Sequence, residues 1–225
     1  GALTEIDLPE TLASIGADAF KADTFIKSVV IPSSITYIDD FAFYGCTKLD
    51  WFSCGTSLTY IGTRAFWNAK KLSYLKLSPT LGIIGDYAFS SCKGLEEIDL
   101  PFGLEKVGMY AFSECVSLYT ISMPNTISEI GNYVFYNCTR LSTVKLSEIL
   151  STIPNYAFYG CTNLQSIVIP NSVKEIGNSA FSQCISLKTV NLSMTLEKIG
   201  NNTFSNCSSL ENIYIPKTVL NIGRY

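Results

Sequence analysis

The sequence predicts a solenoid that is mainly β, in which about ten short coils stack along one axis and a parallel sheet forms one face. Three observations support this fold class. One motif recurs every 23 residues, no insertion or deletion separates its copies, and each copy contains a short alternating apolar segment. The copies fill residues 1–225, so a single domain is expected. The repeat is marked by a Phe at positions 20, 43, 66, 89, 112, 135, 158, 181 and 204.

Each coil is expected to contain two short extended segments. In one copy, Ile167 and Ile169 stand two residues apart, and this period with β-branched residues is typical of a strand with one buried face. Pro170 follows, and because proline lacks an N–H group it ends the strand. Val173 and Ile176 form a second apolar pair, which predicts another short strand on a different side of the coil.

A short helical turn is expected to close each coil. Asn178 follows the Ile-Gly pair of its copy, and Asn, Asp and Thr are preferred helix N-caps. The following x-A-F-x-x-C fits one turn of α- or 3₁₀-helix, which is too short to be stable alone. Stacked coils must therefore stabilise each other by burying neighbouring faces. Equivalent cap positions hold Asp40, Thr63, Asp86, Asn132, Asn155 and Asn201.

Composition excludes several functions. The chain has no His, which excludes Ser-His-Asp and Cys-His catalysis and His metal ligands from this segment. It also has no nucleophile motif and no insertion loop that could build a pocket, so neither enzymatic activity nor a cofactor is expected. The net charge of −3 gives no basic footprint for nucleic acid. No apolar run approaches the roughly 20 residues of a membrane span.

Seven of the eight cysteines stand three residues after a repeat Phe. No C-x-x-C motif is present, so the spacing does not indicate a zinc site. Because Ala69 takes this position in one copy, we interpret these cysteines as small, reduced core residues. Cys54 stands at an inward strand position and is also expected in the core. The seven are Cys46, Cys92, Cys115, Cys138, Cys161, Cys184 and Cys207.

The repeat resembles the BspA-like leucine-rich repeats, a 23-residue class found in bacterial surface antigens and in surface proteins of parasitic protists. The matching text is "LQSIVIPNSVKEIGNSAFSQC" at 164–184, with cognates over essentially the whole chain. The resemblance implies a right-handed leucine-rich-repeat solenoid whose main sheet faces a concave side. It also implies surface display and adhesion to host proteins such as fibronectin or fibrinogen. Ser78, Ser147, Ser193 and Gly55 replace the strand-ending Pro, and their coils are expected to be locally irregular.

The outward strand positions form the candidate ligand-binding face, because repeat proteins bind partners along such extended surfaces. Trp51 and Tyr74 occupy the same position in neighbouring coils and are expected to stack beside Lys76. Exposed aromatic residues beside a basic side chain are typical of interface hot spots. The alternative is that aromatic residues merely favour exposed strand positions. Glu97 and Asp99 on the next coil complete the candidate site.

A second aromatic set flanks the predicted helical turn. It is expected to cover the coil edges and to stack from coil to coil, with a lateral contact to another molecule as the alternative. Glu129 is expected beside Lys106, and Glu175 beside Lys198, as cross-strand pairs that support the register. The aromatic set is Tyr44, Trp67, Tyr136, Tyr159, Tyr87, Tyr110, Tyr133 and Tyr156.

Two functional hypotheses follow. The first is a non-enzymatic cell-surface or secreted interaction domain, an adhesin that binds a host or extracellular-matrix protein, such as fibronectin or fibrinogen, through the sheet face. The alternative is a structural spacer or stalk that presents another domain and has no ligand of its own. The chain is expected to be a monomer, with no metal and no nucleic-acid partner.

Overall fold

The computed structural model describes residues 4–224 except Asp7. It is a parallel-sheet β-solenoid of about nine coils, which confirms the predicted fold class. Residues 1–3, Asp7 and Tyr225 of the expected single domain lie outside the described part.

Two columns of short strands run along the stack, one for each extended segment of the coil. The first column contains β1 (Glu5–Ile6), β3 (Ser28–Ile31), β5 (Trp51–Cys54), β7 (Tyr74–Lys76), β10 (Thr120–Ser122), β12 (Thr143–Lys145), β14 (Ser166–Val168) and β16 (Thr189–Asn191). The second contains β2 (Ser14–Ile15), β4 (Tyr37–Ile38), β6 (Tyr60–Ile61), β8 (Ile83–Ile84), β9 (Lys106–Val107), β11 (Glu129–Ile130), β13 (Thr152–Ile153), β15 (Glu175–Ile176), β17 (Lys198–Ile199) and β18 (Asn221–Ile222).

The paired strands are parallel, and each residue lies opposite the residue 23 positions away. In the first column the sheets are β1-β3-β5-β7, β10-β12 and β14-β16. In the second column they are β2-β4-β6-β8-β9-β11 and β13-β15-β17-β18. The second short strand predicted from the apolar pair before each Gly is therefore confirmed.

The segment around each repeat Phe is a series of turns, and the predicted helical turn is wrong because the described residues contain no helix. Around Phe89, successive N–H groups point alternately to two partners. The N–H of Tyr87 donates to the carbonyl of Met109 in the next coil at 2.7 Å, whereas that of Cys92 donates to Phe89 at 3.2 Å. Tyr87 and Ser91 have φ of 57° and 59°. Alternation between coils leaves no run of i to i−4 bonds from which a helix could form.

The side chains expected as N-caps instead join neighbouring coils. The Oδ1 atom of Asn155 accepts the backbone N–H of Asn178 at 2.7 Å, and Oδ1 of Asn178 accepts that of Asn201 at 2.7 Å. The preceding Gly permits this approach, because a Cβ on Gly177 would lie 2.6 Å from the backbone nitrogen of Asn155. The Asn and Asp residues therefore form a ladder of inter-coil hydrogen bonds.

The core is a stack of aromatic rings with a parallel column of thiols. Phe112 and Phe135 are fully buried, and their ring centroids are 5.7 Å apart with an interplanar angle of 6°. The burial predicted for the cysteines is confirmed. Cys115 also donates from Sγ to the carbonyl of Phe89 in the preceding coil at 3.2 Å. The same bond recurs for all seven cysteines of the column.

Candidate functional site

The aromatic pair expected on the sheet face is present. Trp51 lies opposite Tyr74 in the β5–β7 pairing, with ring centroids 5.2 Å apart and an interplanar angle of 11°. The two residues are 38% and 45% exposed. Lys76 lies two residues further along β7 and is also exposed. Strand register thus places these three side chains on one face, as the sequence indicates.

The next coil departs from the predicted sheet. Residues 96–100 form no strand, none of their N–H groups donates to another backbone carbonyl, and of their carbonyls only that of Glu96 accepts a backbone bond, from Tyr119. The expectation that Glu97 and Asp99 stand on a strand is therefore wrong. Three of these five residues are acidic, and Asp and Glu are poor strand formers.

The irregularity predicted for the coils with Ser in place of Pro is found elsewhere. Strands β7, β12 and β16, which precede Ser78, Ser147 and Ser193, are all formed. The coil of residues 96–100 has the regular Pro101, and residues 211–216, which also form no strand, end in the regular Pro216. The residue that ends the segment therefore does not decide whether a strand forms in the first column.

A groove of about 810 Å³ lies at the break. It is open to solvent, and its lining residues come from four successive coils. We call it the sheet groove, and it is lined by residues 74–77, Pro79, 98–102, 122–126 and Lys145.

The sheet groove combines an apolar floor with an exposed aromatic rim. Leu75 and Leu77 are each 9% exposed and Met123 is 2% exposed, so these side chains form a floor continuous with the core. Phe102 stands at the rim and is 85% exposed. An aromatic side chain left in water beside an apolar floor can gain free energy by contact with a partner.

Charged side chains surround this apolar surface. Lys76 and Lys145 flank the groove, Asp99 lies between them along the solenoid, and all three are exposed. Among the described residues, none of the three has an oppositely charged group within 4.0 Å. Their charges are thus free to pair with groups on a ligand.

The structure brings most of the predicted site together. Tyr74, Lys76 and Asp99 line the sheet groove, and Trp51 supports Tyr74 from the preceding coil. Glu97 does not line it and accepts a hydrogen bond at Oε2 from the hydroxyl of Tyr119 at 2.9 Å. This bond raises the pKa of the Tyr119 hydroxyl.

Sequence reasoning missed Phe102, Met123 and Lys145. A signal for Phe102 existed, because it is the one aromatic residue at its position in the repeat, thirteen residues after the Phe. Met123 and Lys145 had no such signal. They occupy ordinary inward and outward strand positions, and only the break in the sheet brings them into the groove.

The cysteines lack the properties of reactive groups. Burial raises the pKa of Cys115 to about 12 and that of Cys54 to about 11, so both thiols are protonated at neutral pH. All eight cysteines are free and buried. In the part of the chain that the structure describes, no three His, Cys, Asp or Glu side chains are grouped to hold a metal. None of the described residues forms a helix with the length and apolarity that a membrane crossing requires.

The second aromatic set stacks as predicted along the turn side of the solenoid. Centroids of Tyr87, Tyr110, Tyr133 and Tyr156 follow each other at 4.4–4.6 Å. All four have positive φ, which is uncommon for a bulky residue. Burial and the neighbouring tyrosines raise the pKa of Tyr110 to about 12. These rings cover one another, so they form a structural column.

Both predicted ion pairs are confirmed. The Nζ atom of Lys106 lies 2.9 Å from Oε1 of Glu129, and that of Lys198 lies 2.6 Å from Oε1 of Glu175. Each pair joins residues opposite each other on neighbouring strands of the second column. These contacts support the register of the second column.

Solved structures resemble this fold. The leucine-rich repeat protein TpLRR of T. pallidum is 26% identical, with a TM-score of 0.64 over 85% of this chain and 86% of its own. A leucine-rich repeat protein from Eubacterium ventriosum is 20% identical, with a TM-score of 0.65 over 98% and 81%. The pneumococcal vaccine antigen PcpA is 21% identical, with a TM-score of 0.51 over 98% and 75%. No curated protein matches the chain.

The repeats themselves match a family model. The model describes the BspA type leucine rich repeat region, and it matches six copies over residues 2–119 and 105–225. These matches span nearly the whole chain and agree with the 23-residue register of the strands. The chain therefore belongs to the BspA-type leucine-rich repeat family.

Proposed function

We propose that the chain is a non-enzymatic, monomeric interaction domain, displayed on a cell surface or secreted. It acts as an adhesin and binds a host or extracellular-matrix protein, with fibronectin and fibrinogen as the first candidates. The binding face follows the first strand column and the neighbouring coil at 96–100, and its residues include Trp51, Tyr74, Lys76, Glu97 and Asp99. The sheet groove is the observation on which this proposal rests.

The groove offers a protein ligand an apolar anchor site. Burial of a Phe side chain contributes about 1.5–3 kcal/mol, so coverage of Phe102 alone is worth roughly a tenfold gain in affinity or more. Aromatic residues dominate binding energy at protein interfaces when they sit at the centre of a desolvated patch. Tyr74 and Phe102, on adjacent coils, flank the floor formed by Leu75 and Leu77.

The charged residues give the groove orientation and selectivity. Lys76 and Asp99 stand at equivalent positions of adjacent coils and both line the sheet groove, so they present opposite charges along it. A ligand that places a carboxylate and an ammonium group at matching positions would be preferred over one with like charges there. Charges at the rim govern partner choice and association rate more than affinity.

Family membership supports the proposed location. The structural relatives include a protein described as a vaccine antigen. An antigen useful for vaccination is accessible from outside the cell, and the same location would expose the sheet groove of this chain to host proteins. Protein binding along an extended face is also the common use of repeat solenoids.

The test is binding of the purified chain to immobilised fibronectin and fibrinogen by biolayer interferometry. The double variant Tyr74→Ser/Phe102→Ser removes both aromatic anchors. Met194→Ser is a matched control, because Met194 occupies the same repeat position as Phe102 and is 57% exposed, but lies four coils away. We expect saturable binding to one of the two proteins, a loss of about tenfold or more in the double variant, and no change in the control.

Two results would contradict the proposal. No saturable binding to either protein at about 50 μM, a concentration at which weak specific complexes form, would favour the spacer hypothesis. Equal binding by the wild-type chain and the double variant would remove the groove from the interface. Because Tyr74 and Phe102 are both exposed, we expect the double variant to keep its fold, and circular dichroism of each variant checks this.

A further inference from the structure

A second hollow lies on the opposite side of Trp51 from Tyr74. One face of the indole stacks on Tyr74, whereas the residue opposite Trp51 in the preceding strand is Ser28, which is too small to cover the other face. The hollow has a volume of about 400 Å³ and shares no residue with the sheet groove. It is lined by Lys27, Ser28, Lys48, Asp50, Trp51 and Lys71.

Positive charge dominates this hollow. Lys27, Lys48 and Lys71 line it together with one carboxylate, that of Asp50, which leaves a formal surplus of two positive charges. The carboxylate of Asp50 already accepts a hydrogen bond from the hydroxyl of Ser73. Among the described residues, none of the three lysines has a carboxylate within 4.0 Å. This charge contrasts with the net −3 of the whole chain.

The positive charge continues along the solenoid as a ridge. Lys48 and Lys71 occupy one repeat position in two adjacent coils. Lys70 and Lys93 occupy the preceding repeat position, in the coil of Lys71 and in the coil after it. All four are exposed. Residues equivalent in adjacent coils are about 4.8 Å apart, the spacing between neighbouring strands. The ridge therefore presents cations at regular intervals along a line, which suits an extended polyanion better than a single anionic group.

We propose that the hollow and the ridge bind a sulfated, linear polysaccharide of the glycosaminoglycan class. One pyranose ring packs its apolar C–H face on the uncovered face of Trp51. Its sulfate and carboxylate groups pair with Lys27, Lys48 and Lys71, and the following sugars extend along the ridge toward Lys93. Release of condensed counterions from the polyanion adds to the affinity and makes it depend on salt.

Two other polyanions fit less well. Single-stranded nucleic acid binds through several aromatic platforms in succession, whereas Trp51 is the one aromatic residue among those that line the hollow. An acidic peptide would pair with the lysines, but it has no flat apolar face to place on the indole. The apolar floor that a peptide side chain would seek lies in the sheet groove, which is a separate site.

Biotinylated heparin is the probe, and affinity is measured by biolayer interferometry at about 0.15 M salt. We expect saturable binding that weakens about tenfold in Lys48→Ser/Lys71→Ser. The matched control is Lys188→Ser/Lys217→Ser, which changes the net charge equally at two exposed lysines far along the chain and is expected to alter affinity by less than about twofold. Trp51→Ala leaves the charge unchanged and is expected to weaken binding several-fold.

Chemically desulfated heparin and a thymidine oligonucleotide complete the comparison, and both are expected to bind more weakly than heparin. Four results would overturn the proposal: no saturable heparin binding, equal losses in the two lysine double variants, full affinity in Trp51→Ala, or oligonucleotide binding as tight as heparin binding. The outcome is separable from that for the protein ligand. Tyr74→Ser/Phe102→Ser tests the groove, and Lys48→Ser/Lys71→Ser changes no groove residue.

Discussion

Substitution of a central core ring gives a quantitative test of the stacked-coil description. Phe135 is 1% exposed and lies between Phe112 at 5.7 Å and Phe158 at 5.4 Å, measured between ring centroids. Phe135→Ala leaves a cavity that the neighbouring rings cannot fill without leaving their own coils. Replacement of a buried Phe by Ala costs about 3–5 kcal/mol, and we expect the free energy of unfolding to fall by about 4 kcal/mol.

Phe204 is the matched control, because it occupies the same repeat position as Phe135 but lies near the C-terminal end of the described stack. It is partly buried, and among the described residues it stacks on one neighbour, Phe181, at 5.7 Å. Phe204→Ala therefore removes about half as much buried contact, and we expect a loss of about 2 kcal/mol. In a solenoid, each coil is stabilised by its nearest neighbours, so the position of a substitution along the stack matters.

Urea unfolding followed by circular dichroism measures both losses. If the slope of unfolding free energy against urea concentration is the same in each variant, the shift in the unfolding midpoint gives the loss of stability directly. Equal losses for Phe135→Ala and Phe204→Ala would refute the nearest-neighbour reasoning. A loss below about 2 kcal/mol for Phe135→Ala would show that the core is less tightly packed than the ring distances indicate.

Four further outcomes are expected from the same unfolding measurement. Asn132→Ala should lower the unfolding free energy by about 1 kcal/mol, because Oδ1 of Asn132 accepts the N–H of Asn155 at 3.0 Å, and Asn132→Asp, which keeps the acceptor, should cost less. Gly177→Ala should cost about 1–3 kcal/mol, since its Cβ would lie 2.6 Å from a backbone nitrogen, whereas Gly16→Ala, with no atom within 4 Å, should be neutral. The absence of His predicts equal stability at pH 6 and pH 8. The pKa of Tyr110 is raised to about 12 from 10.0, and burial raises the pKa values of the core thiols as well. These groups therefore ionise more easily in the unfolded chain, and the free energy of unfolding should fall as the pH rises from about 9 to 12. An unchanged midpoint at pH 11 would contradict this last expectation.

The regular part of the fold could be predicted because the repeat period fixes the register. Once the Phe positions recur every 23 residues, Trp51 must lie opposite Tyr74, and Lys106 opposite Glu129, in any in-register stack. No knowledge of side-chain packing is needed for that step. The burial of Cys115 could also be predicted, because Ala69 at the equivalent position of another copy indicates a small side chain that points into the core.

The hydrogen-bond pattern of the turns could not be predicted from local preferences. An Asn before x-A-F-x-x-C is a reasonable N-cap for a helix, but Asn155 bonds to the next coil because Gly177 lets the two backbones approach. The positive φ of Tyr87 is unfavourable for a single residue and is maintained by the stacked neighbours. Tertiary contacts therefore override local propensity in this segment.

The sheet groove could be predicted only in part. Tyr74, Lys76 and Asp99 were identified as outward strand positions, but the loss of pairing at 96–100 depends on the balance between weak strand propensity and a ladder of neighbours. The sequence does not reveal which of the two effects is larger, because Leu95 and Ile98 keep the consensus apolar residues of the repeat. The contributions of Met123 and Lys145 depend on the same break.

Hydrogen–deuterium exchange read by mass spectrometry tests most directly whether the functional face is an interruption of the sheet. In the free chain, amides of residues 97–100 should exchange much faster than those of β5, which is paired on both sides. Addition of a saturating fibronectin or fibrinogen ligand should then slow exchange at 97–102 and 122–126. Equal protection of 97–100 and β5 in the free chain would contradict the account, because the groove would then be an ordinary stretch of closed sheet.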